Sequence, residues 1–263
     1  MIAAGLVSAL WLLASPTGAA PQSGAESMTA ASTHFAPPLN RQMVYRVTTR
    51  RIGRDNSILS FSLVYALEWR RAGRGYQLGA TLERIESDAG PQVTRALTAV
   101  LQPLVGEEMT YLVAADGSSV DLADADRLWE RALARTADAG AGAGQGEAKR
   151  IATMIAALPA AERDRLASAD IRALVAPAGA ILSAGNAASV SVTQQDGLRR
   201  IAKVEPPVSS AQGALAVQTD MIWTIDTATG LVVHEQKQSW IAEPGSDART
   251  LIEERVRALD ITG

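Results

Sequence analysis

The stretch "LVVHEQKQSW", Leu231 to Trp240, opens like a zinc-hydrolase signature, with His234 followed by Glu235. That chemistry needs a second histidine four residues after the first, so that both imidazoles project from one helix face onto the ion while the glutamate serves as base. Here the fifth position is Gln238, and the chain's other histidine is His34. The preceding "WTIDTATGLVV" alternates apolar and polar residues around turn residues at Asp226 to Gly230. The segment therefore reads as a β-hairpin, and a strand does not bring residues four apart around a shared ion in the helical manner. No metal or other cofactor is expected, and His234 is assigned to a solvent-facing strand position beside Val233.

Other chemistries fare no better. Glycines at Gly140, Gly142, Gly144 and Gly146 could expose N–H groups to a phosphate, but no G-K-[ST] follows and no G-x-G-x-x-G fits their spacing. A serine nucleophile would need a base and an oxyanion hole, but there is no G-x-S-x-G elbow and scarcely a histidine to serve. Adjacent carboxylates at Glu107 and Glu108, or Glu253 and Glu254, fall on opposite sides of a strand, where they act as solubilising charges rather than as an acid and base pair. No enzyme activity is expected. Arginines at Arg50, Arg51 and Arg54, and again at Arg70, Arg71 and Arg74, flank one predicted strand at its two ends, and they could grip anionic head groups or solvate the turns. Among the aromatics, Trp69, Trp223 and Tyr65 belong to predicted strands and Trp129 to a predicted helix. These four are the candidate lining of an apolar pocket, or else of a filled core.

Composition narrows the classes further. A net charge of -3 without a basic run disfavours nucleic acid, and 47% hydrophobic residues can supply a core. The absence of cysteine excludes disulfides, thiolate metal sites and cysteine nucleophiles. Residues 1–20 hold an apolar run and then small residues, the pattern of a cleavable signal peptide, and the run is short of the roughly 20 residues of a membrane span. Residues 21–40 are rich in Pro, Ser, Ala and Thr and read as a flexible tether that includes His34. Export to the periplasm is expected, with no membrane span in the mature chain.

From Asn40 the elements that would position any site come into view. Period-two alternation marks strands at Met43 to Val47, at Leu59 to Trp69 and at Tyr76 to Leu82, joined by short turns into an antiparallel meander. Met109 to Val113 precede an Asp116-Gly117 hairpin signal. The period then lengthens, with Leu122, Ala125, Leu128 or Trp129, Ala132 and Leu133 recurring every three or four residues. A second helix carries Ile151, Met154, Ile155 and Leu158; Pro159 opens a third, short one; and Ile171, Leu174 and Val175 suggest a last turn before Pro177. The helical insert thus spans about 121–175. Alternation returns at Val190 and Val192, then from Leu198 to Val204, then after a Pro-Pro loop from Leu215 to Ile225, and Arg249 to Leu259 is assigned to a final strand. The expectation is an α+β domain over residues 41–259: a long antiparallel, curved β-sheet, half-barrel-like, with the helical insert packed against one face.

This order of elements, with the Trp-strand-Asp-turn-Gly hairpin of "WTIDTATGLVV", resembles the periplasmic half-barrel proteins typified by the lipoprotein carriers and related exported families. The long insert departs from the carriers. The resemblance implies the periplasm and a half-barrel fold. The long alternating strands with a helical cover and no catalytic constellation lead to the expectation of a non-enzymatic envelope protein that binds a lipid-like or apolar ligand between sheet and insert, or an envelope protein partner. The alternative is a structural or interaction module with a filled core and no ligand.

Overall fold

The computed structural model describes residues 34–53, 57–90, 94, 101–138, 153, 157–183, 187–208, 216–242 and 248–261. The expected signal peptide, residues 21–33 of the expected tether, Arg54, the glycines from Gly140 to Gly146, and Ile151, Met154 and Ile155 lie outside the described residues. Among the described residues, ten strands form one open, curved, antiparallel sheet. They are β1 (Gln42–Ile52), β2 (Ile58–Ala72), β3 (Gly75–Ser87), β4 (Glu108–Val113), β5 (Val120–Leu122), β6 (Ser189–Gln195), β7 (Leu198–Val208), β8 (Ala216–Asp226), β9 (Val232–Ala242) and β10 (Arg249–Asp260). Their order, β5-β4-β3-β2-β1-β10-β9-β8-β7-β6, joins two five-stranded meanders through the pairing of β1 with β10. Among the described residues, three α-helices lie between the meanders in sequence: α1 (Ala125–Asp138), α2 (Ala160–Val175) and α3 (Ala178–Ser183).

The alternation that predicts the strands also divides their faces. Met43, Tyr45 and Val47 are buried toward the helices, while Val44 and Arg46 point the other way. Irregular pairings interrupt the ladders between Val64 and Tyr65, between Thr224 and Ile225, between Glu205 and Val208, and between Leu251 and Glu253. Such bulges increase the local twist and bend a long sheet. The turns carry the residues their geometry demands. At the β6–β7 hairpin Asp196 and Gly197 both have positive φ, 52° and 74°, as a type I′ turn requires.

The larger core lies under α2 on the first meander, where Ile171, Leu174 and Val175 meet Met43, Tyr45, Trp69, Leu78 and Tyr111. From α1, Leu128 joins this core. A smaller cluster packs Ala178 and Ile181 of α3 on Ile201, Trp223, Ile225 and Val232 of the second meander. Each large apolar side chain so buried contributes about 1.5–3 kcal/mol before the entropy of ordering it is counted.

Four features differ from the expectation. The ordered domain begins ahead of Asn40. Phe35 is buried edge-on against Trp69 and Tyr76 at 5.7 and 5.4 Å, and the Ala36 N–H donates to the Thr229 carbonyl at 2.8 Å. One aromatic among polar residues has no periodicity to announce it. Leu122 closes the edge strand β5 rather than starting a helix, because the Asp116-Gly117 turn pairs Val120 with Val113 first. Beyond Pro159, α2 is one continuous helix of 16 residues, and after Pro177 the insert extends through α3 to Ser183. Finally, Pro206 and Pro207 stay within β7, at a bulge where β6 has already ended, so their missing N–H groups break no ladder.

Candidate functional site

Directly paired residues of adjacent strands share a face, so the registers assemble rows of side chains across the sheet. On the helix-bearing face one row runs Ile85, Leu63, Val47, Arg257, Glu235, Trp223, Ile201. The next row runs Phe61, Thr49, Arg255, Lys237, Met221, Lys203. The first is apolar at the first meander, the second sets Phe61 between Ser87 and Thr49 there, and both carry charge at the centre, where β10 and β9 meet.

The charges at the centre are locked to α2. Asp170, projecting from the helix, accepts from Arg255 Nη2 at 2.7 Å and from Arg257 Nε and Nη2 at 3.0 and 2.9 Å. Arg257 also donates to Glu235 Oε1 at 2.6 Å. The exposed fractions of the Arg257 and Glu235 side chains are 11% and 7%, which leaves no room for a substrate between the two carboxylates. Burial alone would push the Arg257 guanidinium down, but the charges of Asp170 and Glu235 outweigh it and hold it above its ordinary range.

Three tyrosines surround this cluster. Tyr45 donates to the Asp170 carbonyl at 3.0 Å and Tyr111 to the Ala167 carbonyl at 2.9 Å, so two phenols of the sheet bond the backbone of α2. Burial, and secondarily the Asp170 charge, pushes the phenols of Tyr45, Tyr65 and Tyr111 well above the usual tyrosine range. All three stay neutral near neutral pH, and Tyr45 and Tyr111 act as hydrogen-bond donors rather than proton carriers.

Beyond this layer, Leu59, Phe61, Leu63 and Ile85 lie on the same face, half-buried and belonging to neither core cluster. Beside them the rows carry Arg255, Lys237 and Lys203. Lys203 is 2% exposed and faces Glu205 at 3.7 Å. Arg255 keeps one buried nitrogen, Nε, without a hydrogen-bond partner. Lys237 stands directly between Arg255 and Met221 and makes no ion pair among the described residues.

The four aromatic candidates are dispersed. Trp69 is fully buried in the larger core with its indole N–H unpartnered, Tyr65 packs at the edge of that core, and Trp223 belongs to the smaller cluster. Trp129 is half-buried on α1, with its neighbour Leu128 taking the core position. The arginine groups are engaged at several positions. Arg51 pairs with Glu253 at 2.7 Å, Arg50 with Glu254 at 3.1 Å, Arg70 with Glu68 at 3.0 Å, and Arg71 lies over the Tyr76 ring. Glu253 and Glu254 pair with different partners on opposite faces. On the face away from the helices, Gln238, Gln236 and Arg50 overcome the desolvation of Glu254 and hold it below the usual carboxylate range. His234 is paired across the sheet with Thr224 and Ala258, on the face away from the helices. Reading the sequence misses Asp170 on α2 and Arg255 and Arg257 on β10, and considers Glu235 only as a metal-site base; the only signal of the strand residues is charge at inward positions of alternating strands.

No protein-family model matches the chain, and no curated protein matches it.

Proposed function

We propose that the protein is a non-enzymatic binder of a lipid-like, single-chain apolar ligand, exported to the periplasm, and that its sheet works as a half-barrel. The observation that carries this reading is the strip of Leu59, Phe61, Leu63 and Ile85, which continues the core along the helix-bearing face without belonging to either cluster. Isolated half-buried apolar residues are ordinary, but a contiguous strip on one face of a sheet suits an acyl chain. The ligand lies along the strip rather than under α2, where Trp69, Tyr45 and Leu174 fill the space with exposures of 0%, 1% and 0%. No catalytic role falls to Asp170 and Glu235, whose oxygens serve Arg255 and Arg257 as structural ion pairs.

Mass spectrometry of the full chain, purified without detergent from its native host, is expected to show a co-purifying acyl-chain molecule. Replacing Phe61 with Asp is expected to abolish that signal while the fold persists. Recovery of the same molecule in equal amount from F61D would overturn the reading. The filled space beneath α2 favours a second reading, an interaction module without a ligand, which predicts a defined protein partner and no co-purifying lipid.

A further inference from the structure

We propose that Lys237, with Arg255 beside it, is the head-group site for a monoanionic amphiphile, a long-chain carboxylate whose acyl chain lies toward Phe61 and Leu63. The inference rests on the lipid-binding reading and assigns the ligand's charged end. Lys237 and Arg255 are directly opposed across β9 and β10 on the helix-bearing face. Like charges in that position repel. The neighbouring cations of this face have carboxylates: Arg51 has Glu253, Arg257 has Asp170 and Glu235, Arg255 has Asp170, and Lys203 has Glu205. Lys237 has none among the described residues, so one positive charge stands uncompensated beside Arg255, whose Nε is buried and unpartnered.

A single carboxylate supplies the missing charge and accepts from both groups. Lysine is scarce here. The chain has Lys149, Lys203 and Lys237 against 25 basic residues in all, and two of these three lysines lie in this one row. In the same row Thr49 and then Phe61 follow Arg255 on β1 and β2. With strands about 4.8 Å apart, Phe61 lies about 15 Å from Lys237, within the reach of a long acyl chain whose head sits at the lysine. Charge and apolar surface are therefore ordered as the two ends of a fatty acid are ordered.

The test uses the full chain with three probes of one chain length, oleate, oleyl alcohol and oleyl phosphate, against wild type, Lys237→Met and Phe61→Asp. Wild type is expected to bind oleate more tightly than the alcohol. K237M is expected to lose about tenfold in oleate affinity, as when one partner of a partly desolvated charge pair is removed. Its affinity for the alcohol should stay unchanged, which also reports that the variant is folded. Equal oleate affinity in K237M and wild type overturns the head-group site while leaving the lipid-binding reading standing. Tighter binding of the dianionic phosphate than of oleate overturns the choice of a carboxylate. Failure of both oleate and the alcohol to bind wild type overturns the lipid-binding reading itself, and this proposal with it.

Discussion

Asp170 is the residue that fixes the helical layer to the sheet. Its side chain serves Arg255 and Arg257 while its backbone carbonyl accepts from Tyr45. Asp170→Ala leaves Arg255 without a carboxylate and Arg257 with Glu235 alone, and removing one partner from a buried ion-pair cluster costs about 3–5 kcal/mol. Urea denaturation should show a loss of about 3 kcal/mol, whereas Glu68→Gln, which removes an exposed pair with Arg70, should stay within about 1 kcal/mol. Equal losses in the two variants would deny Asp170 its anchoring role. The tyrosines of the same layer give a pH prediction. Their folded-state pKa values lie above the ordinary value of about 10, so the stability they contribute is complete below that pH and is lost as pH rises beyond it. In an alkaline titration the tyrosinate absorbance of Tyr45, Tyr65 and Tyr111 should emerge together with unfolding. Absorbance that rises while the far-ultraviolet circular dichroism stays native would show that these phenols are accessible. Little of this cluster was legible in the sequence, because Asp170 sits 85 and 87 residues from the arginines it binds and no local pattern links them.

At the scale of elements, the hairpin of β8 and β9 shows how a local signal becomes a long-range one. The Ala228 N–H donates to Asp226 Oδ1 at 2.8 Å, and Gly230 takes φ +75°, the left-handed conformation that closes the turn. A methyl group on Gly230 would meet the His34 carbonyl oxygen at 2.7 Å and Phe35 Cα at 3.2 Å. Gly230→Ala therefore combines a disfavoured backbone with a clash against the segment that seats Phe35, and a loss of about 2 kcal/mol is expected. Thermal unfolding would check it. A change near zero would mean that residues 34–36 give way at no cost. The strand pattern and this turn were legible because alternation and the Asp-to-Gly spacing are local. The docking of Phe35 was not, since it depends on the Trp69 and Tyr76 rings, which come together only once β2 and β3 have paired. The continuity of α2 was likewise hidden, because its core residues Ile171, Leu174 and Val175 gather at its C-terminal end.

At the scale of the molecule, the antiparallel meanders could be read from the sequence, but their joining could not, because β1 and β10 pair across the whole domain, Val44 with Asp260. That pairing leaves two sheet edges, and the chain treats them differently. The β5 edge has three residues and carries Asp121, and Arg172 of α2 donates to its Val120 carbonyl at 3.3 and 3.2 Å. The β6 edge has seven residues, "SVSVTQQ", with neither charge nor proline, and all but one of them are exposed. Natural sheets protect their edges with charge, proline, brevity or a covering element, and among the described residues β6 has none of these. Self-association at high concentration is therefore expected to begin by strand pairing at β6. Thr193→Lys places a charge in the middle of that edge, on the face away from the helices, and as a surface change it should alter stability by no more than about 0.5 kcal/mol. Sedimentation over a concentration series should show wild type associating and T193K remaining monomeric at the same loading, with matching unfolding midpoints. If the two proteins associate equally, the contact lies elsewhere; if T193K alone loses its midpoint, the edge is covered by something that the substitution disturbs.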